Sequence, residues 1–346
     1  LLPVSLLLFV FVKLFTPQIL SSLVASENIL QASINYLSVR SYGIFFAFFN
    51  FLFIAFYTGT TKTKVLTKAT FIQAGVNVVL DYLLIFGKFG LPELGIKGAA
   101  LASVISEIAA LLYFAYYTYA KIDYKKYNLF QSLKYNWEKQ RHILKIAAPI
   151  MLQNFMALCT WLSFFMIIEQ TGESNLAISH IVRSIYMVVM IPLFGFSSAA
   201  SALVSNIMGE KRISEIPVLI KRIVLMSLLA TALFLPVLLI FPYKITSIYT
   251  DDLNLIEGAV KILPAICGAM LFFSIAFITF SSVTGTGKTL ITLSIEFVSI
   301  SIYLSFAYYF ALILNLSLVS IWCSEFIYFG FMGLLSILYL NKLLRR

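Results

Sequence analysis

The sequence predicts an all-α polytopic membrane protein built on a parallel internal repeat, with about ten transmembrane helices, and three observations carry that reading. Hydrophobic residues make up 61% of the chain and charged residues 12%, about half the ~25% charge of an ordinary soluble domain. Apolar runs of ~20 residues, long enough to cross ~30 Å of hydrocarbon as a helix, recur along the whole length between short polar breaks. A six-residue turn is used twice: Thr58 to Thr63 reads TGTTKT and Thr284 to Thr289 reads TGTGKT, matching at five of six positions at a spacing of 226. Each copy follows an apolar run, FIAF at Phe53 to Phe56 and FITF at Phe277 to Phe280. A repeat of that length is half of a duplicated membrane protein.

The spans fall at residues 1–22, 36–58, 64–88, 97–119, 143–168, 175–208, 215–242, 255–284, 289–313 and 317–341. The first has no basic residue before Lys13, so it reads as a span and not as a cleaved signal peptide. The second and eighth lead into the repeated turns, and the third and ninth leave them. Ser106-Glu107 in the fourth span and Ser324-Glu325 in the tenth are a second match between the halves, at a spacing of 218. The outer loop Gly87 to Gly98, longer than its counterpart around Asn315, absorbs the difference. Pro149, Pro192, Pro236 and Pro264 lie inside spans, where a missing N–H favours a kink.

Charge orients the chain. Of 25 Lys and Arg, 18 lie in alternate loops or in the tail, the positive-inside pattern that puts those loops and the C-terminus in the cytoplasm. Glu27, Glu169, Glu173, Asp251, Asp252 and Glu257 then fall in outward loops. A net charge of +10 therefore speaks of membrane topology and not of nucleic acid. Residues 121–142 are the basic cytoplasmic linker between an N-terminal lobe of four spans (1–120) and a C-terminal lobe of six (143–346). In the second half, 141 residues separate Ile143 from Thr284, whereas 57 precede Thr58, a shortfall of 84. That is room for two spans, so the chain is expected to lack the first two helices of a twelve-helix protein.

These features narrow the function. No long soluble segment is available to house an enzyme's active site, which leaves transport, a channel or intramembrane chemistry. Cys159, Cys267 and Cys323 sit in apolar spans without paired spacing or metal-ligand neighbours, so packing is their role. TGTGKT resembles the end of a phosphate-binding loop, but the first glycine of that motif is Ser282 here, and the segment joins two spans. It reads as a tight turn.

Chemistry is concentrated in polar residues on otherwise apolar helices. The third span carries Thr70, Gln73, Asn77 and Asp81 at spacings of three and four, and the ninth carries Thr292, Glu296, Ser299 and Tyr303. Each set forms one face that avoids lipid. An acid in hydrocarbon is costly unless protonated, paired or wetted, and it usually lines a cavity or an ion path. Asp81 is the leading candidate; its bland alternative is a place in the outer interface. Glu107, Glu296 and Glu325 are weaker candidates that could equally fix packing. Asn50, Gln153 and Asn154 suit interhelical glue or a cavity wall. His180 and Arg183 share a face near the acidic outer loop, where a headgroup or loop contact is favoured over a proton relay.

Asn77 to Glu107, NVVLDYLLIFGKFGLPELGIKGAALASVISE, closely resembles the signature of the multidrug and toxic compound extrusion (MATE) family. The repeated turns are similar to that family's Gly-rich turns, and KIAAPIMLQNF at Lys145 to Phe155 resembles the start of its seventh helix. The resemblance runs from the family's third helix to its twelfth. It implies two lobes packed as a V around a central cavity, with export of organic cations driven by entry of sodium or protons. In one branch, an Asn-x-x-x-Asp pair, a small hydroxyl and an Asn form a coupling site, to which Asn77, Asp81, Ser103 and Asn50 correspond. The only metal implied is a sodium at Asp81. A further acid of that site belongs to the family's first helix. Another branch carries an acid on the seventh helix where this chain has Ala157, so the resemblance supplies no coupling through that residue.

The expected function is a cation-coupled antiporter, with Gln73, Gln153, Asn154, Glu296 and Tyr303 lining the cavity and no cofactor beyond the coupling ion, sodium or proton. Its partners are small organic cations and the lipid bilayer, and it acts as a monomer in the cell inner (plasma) membrane. A flippase for a lipid-linked saccharide is the nearest alternative, but it calls for several cavity Arg or Lys. An ATP-driven pump would need a nucleotide domain, and a purely structural membrane protein would not need the repeated polar stripe.

Overall fold

The computed structural model describes residues 2–23, 27–123, 127 and 136–344. The chain divides into two compact units, residues 1–134 and 135–346. In the first, α1 (Leu2–Leu23) is followed by α2 (Glu27–Arg40), α3 (Gly43–Gly59), α4 (Thr63–Ile85) and α5 (Ile96–Lys121). In the second come α6 (Trp137–Glu169), α7 (Glu173–Gly209), α8 (Ile216–Ile240), the short α9 (Pro242–Thr246), α10 (Leu253–Gly285), α11 (Thr289–Tyr308), the short α12 (Leu318–Trp322) and α13 (Ser324–Leu344). Nine helices are long and apolar enough to cross a membrane, and a bent pair makes ten among the described residues.

The bent pair corrects the second span. Glu27 to Asn35, read as loop because it is polar, is helical as the first part of α2, and α2 meets α3 at an angle of 52°. No proline causes this bend. Five helices that do contain an inner proline, α1, α6, α7, α8 and α10, each continue through it. The break falls where the chain turns its polar end inward: Ser41 is buried, and Arg40 reaches Glu107 of α5. A second correction is that α6 begins at Trp137 and not at 143, with the Asn136 side chain accepting from the Lys139 N–H at 3.0 Å as its N-cap. Most of the rest of the predicted linker lies outside the described residues.

In the second unit α10 is the hub, packed against α7, α8 and α13. Of its most apolar window 61% is buried, against 11% for α4, which is why α10 can carry small residues all round. Hydroxyls join it to its neighbours: Thr231 of α8 meets Ser274 at 2.9 Å, and Ser197 of α7 meets Ser281. Such bonds and close approaches hold helices together where lipid is as apolar as leucine. In the first unit α4 and α5 pack along their lengths. A Cβ on Gly98 would lie 2.5 Å from the Leu84 carbonyl oxygen, so glycine there lets the two backbones meet and brings Ser103 opposite Asn77.

The repeated turn proves to be a helix stop used three times. Thr61, Lys211 and Gly287 have φ of 58°, 60° and 78°, and each N–H bonds back to the carbonyl three residues before it, at Thr58, Met208 and Thr284. This is the left-handed C-cap that ends many helices. Only the third copy uses glycine, and Thr61 is β-branched, the side-chain type least suited to positive φ. Thr61→Gly is expected to stabilise the protein by about 0.5–1 kcal/mol, read as a higher unfolding midpoint in detergent. An unchanged or lower midpoint would mean that Thr61 is not strained.

Candidate functional sites

In each unit a polar pocket includes the glutamate of the shared Ser-Glu dipeptide in its lining. In the first unit the pocket measures about 390 Å³ and is lined by Arg40 of α2, Thr70, Gln73, Ala74 and Asn77 of α4, and Ser103, Ser106 and Glu107 of α5. The α4 residues stand one turn apart on the helix, so one polar stripe forms one wall. Asn77 Nδ2 approaches Ser103 Oγ at 3.5 Å, the outer limit of a hydrogen bond. Arg40 clamps Glu107 through both terminal guanidinium nitrogens, Nη2 to Oε1 at 2.6 Å and Nη1 to Oε2 at 3.1 Å. A side chain at Gly43 would collide with that clamp. Asn50 of α3 is buried and donates to the Glu107 carbonyl oxygen at 3.0 Å.

Of the four expected coupling residues, Asn77 and Ser103 therefore share this pocket. Asn50 braces α3 against α5. Asp81 is not among the pocket's lining residues, although its Oδ1 is buried without a hydrogen-bond partner. An orphaned buried acceptor is rare enough in native proteins to require a reason.

The pocket of the second unit is smaller, about 180 Å³, and different in character. Gln153, Asn154 and Ala157 of α6, Tyr186 of α7, Glu296 and Tyr303 of α11, and Glu325 and Tyr328 of α13 line it together with Trp161 and several phenylalanines. All four residues expected to line a cavity in this half, Gln153, Asn154, Glu296 and Tyr303, are on its wall. Glu325 is held by two phenols, Tyr303 Oη donating to Oε1 at 2.8 Å and Tyr186 Oη to Oε2 at 3.4 Å. Glu296 accepts from Tyr328 Oη at 2.7 Å on Oε1, while its Oε2 is buried and unpartnered. The rings of Tyr303 and Tyr328 sit 5.2 Å apart, so the two acids belong to one connected cluster. No Lys, Arg or His lines the pocket. Two buried carboxyl groups with no basic residue on the wall are neutralised either by a proton or by a cation from outside.

The sequence offered Glu325 as a weaker candidate and did not single out Tyr186 or Tyr328, which the structure places on the same wall. Tyrosine is common throughout the chain and marks nothing singly; the useful signal was that Glu325 repeats Glu107. His180 and Arg183 both pack on aromatic rings. The His180 ring stacks on Phe165 at 4.7 Å, and the Arg183 guanidinium lies 5.4 Å from Phe165 and 5.5 Å from Trp161, a cation–π arrangement.

Nine apolar spans, or ten with the bent pair, among the described residues define a multi-pass helical membrane protein. The MatE family model matches residues 1–83 and 149–309; the chain belongs to that family, whose members are transporters and not enzymes. A probable multidrug resistance protein NorM of Thermotoga maritima is 29% identical over 307 residues, 84% of this chain and 65% of that protein. A probable multidrug resistance protein YoeA of Bacillus subtilis is 23% identical over 281 residues, 80% of this chain and 60% of that one. The chain thus spans less than two thirds of the length of these two relatives. A solved structure described as the outward-facing conformation of a multidrug resistance MATE family transporter of the MOP superfamily superposes with a TM-score of 0.87 at 18% identity, covering 99% of this chain and 77% of its own. That likeness is one of fold.

Proposed function

We propose that the chain acts in cation-coupled export of organic cations across the inner (plasma) membrane by alternating access, as a monomer with its C-terminus in the cytoplasm. The observation that carries this reading is the aromatic pocket of the second unit, with Glu296 and Glu325 on its wall and no basic residue there to neutralise them. Aromatic faces and buried acids together recognise an organic cation. The names of the relatives, multidrug resistance proteins, agree with it. Coupling is assigned to Asp81 with Asn77, Ser103 and Asn50. A carboxyl in a low-dielectric setting tolerates a proton or a bound sodium far better than a bare charge, so its occupancy biases the conformation. The orphaned Oδ1 of Asp81 supports that assignment.

The flippase alternative receives less support. Of the residues lining the two pockets Arg40 is the one base, and Glu107 occupies it. The test is efflux of a fluorescent organic cation from everted membrane vesicles without ATP, with a sodium or a proton gradient imposed in turn. Transport under one gradient is expected and names the coupling ion. Correct insertion with no transport under either gradient would refute the reading and favour an anionic or lipid-linked substrate.

A further inference from the structure

The two acids of the second-unit pocket are not equivalent. Both Glu325 oxygens accept from tyrosine hydroxyls, so neither is left without a donor. Glu296 is 3% exposed and half satisfied: Tyr328 serves Oε1, and Oε2 has nothing. Oε1 of Gln153 on α6, another residue of the pocket wall, is also buried without a partner, and α6 packs against α11. Two lining residues on packed helices thus each carry a buried oxygen short of one hydrogen-bond donor.

We infer that this pocket is an ammonium site selective for N–H-bearing cations: it takes a protonated primary or secondary amine in preference to a quaternary ammonium. This deepens the proposed function and rests on its reading of the substrates as organic cations. The aromatic walls attract either kind of cation through the ring faces, so they give affinity without discrimination. The orphaned acceptors discriminate. An alkylammonium brings N–H groups to Glu296 Oε2 and Gln153 Oε1, whereas a trimethylammonium covers both with methyl groups and leaves them desolvated and unpaired. A site built to hydrogen-bond a ligand rejects the analogue lacking the donor more strongly than an apolar wall rejects a change of size. The pocket of about 180 Å³ is well above the space one water needs, so it has room for an ammonium head.

The test titrates the purified protein in detergent with phenethylammonium and with its N,N,N-trimethyl analogue, which share ring and charge, following the fluorescence of Trp161 on the pocket wall. The primary amine is expected to bind at least about tenfold more tightly. Glu296→Gln should bring the ratio close to one, chiefly by weakening the primary amine. If that variant does not fold, Gln153→Leu carries the test, with a loss of at least about threefold in the ratio expected. Equal affinities in the native protein, binding of neither probe, or a ratio unchanged in the variants would overturn the inference. Vesicle efflux is a separate readout. Efflux without the binding preference removes the ammonium selectivity and leaves the transport reading standing; the preference without efflux keeps the site and removes that reading.

Discussion

Asp81→Asn is expected to cut gradient-driven efflux by at least about tenfold, equivalent to about 1.4 kcal/mol in the barrier, while the protein still inserts and runs as a single species in size exclusion. The substitution keeps the shape of the side chain and removes its charge, so it separates coupling from folding. Asp81 belongs to the same α4 stripe as Asn77, and its buried Oδ1 has no protein partner. An amide takes up no proton at working pH, and its neutral carbonyl oxygen holds a sodium ion less strongly than a carboxylate does. Residual transport should accordingly lose its dependence on the imposed gradient. Undiminished efflux with intact ion dependence would transfer the coupling role away from α4, with Glu296 and Glu325 next in line.

The second large effect concerns stability. Arg40→Ala leaves the Glu107 carboxylate, whose side chain is 9% exposed, without its partner. Removing one member of a buried pair usually costs ~3–5 kcal/mol. Arg40 keeps 31% of its side chain exposed, which places the expected loss at the lower end of that range. Pairing the change with Glu107→Gln should restore much of the loss, because the uncompensated charge is then gone. Thermal unfolding in detergent reads both. If the double variant proves as unstable as Arg40→Ala alone, the Arg40 stem packed at the α2–α3 bend, and not the ion pair, holds this region.

Sequence and structure divide over particular residues. Composition and the length of the apolar runs determine the number and order of the spans, because hydrocarbon admits only helices with satisfied backbones. The duplicated TGTTKT and TGTGKT determine where α3 gives way to α4 and α10 to α11. The polar stripe on α11 was legible from its spacing, and Thr292, Glu296, Ser299 and Tyr303 are all buried in the structure. The copy of the turn at Gly209 to Arg212 was not legible, since a left-handed cap is a matter of backbone angle that Lys211 can adopt without looking like glycine.

Partnership is what only the tertiary structure decided. Glu107 and Glu325 occupy matching places in the repeat and read alike in the sequence, yet a guanidinium 67 residues away binds the first, and phenols 22 and 139 residues away bind the second. That difference leaves the acid of one unit neutralised from within and the acids of the other without a basic partner. The physical reason is that the cost of a buried charge depends on the atoms within a few ångströms of it, and those atoms come from helices whose proximity no local pattern records.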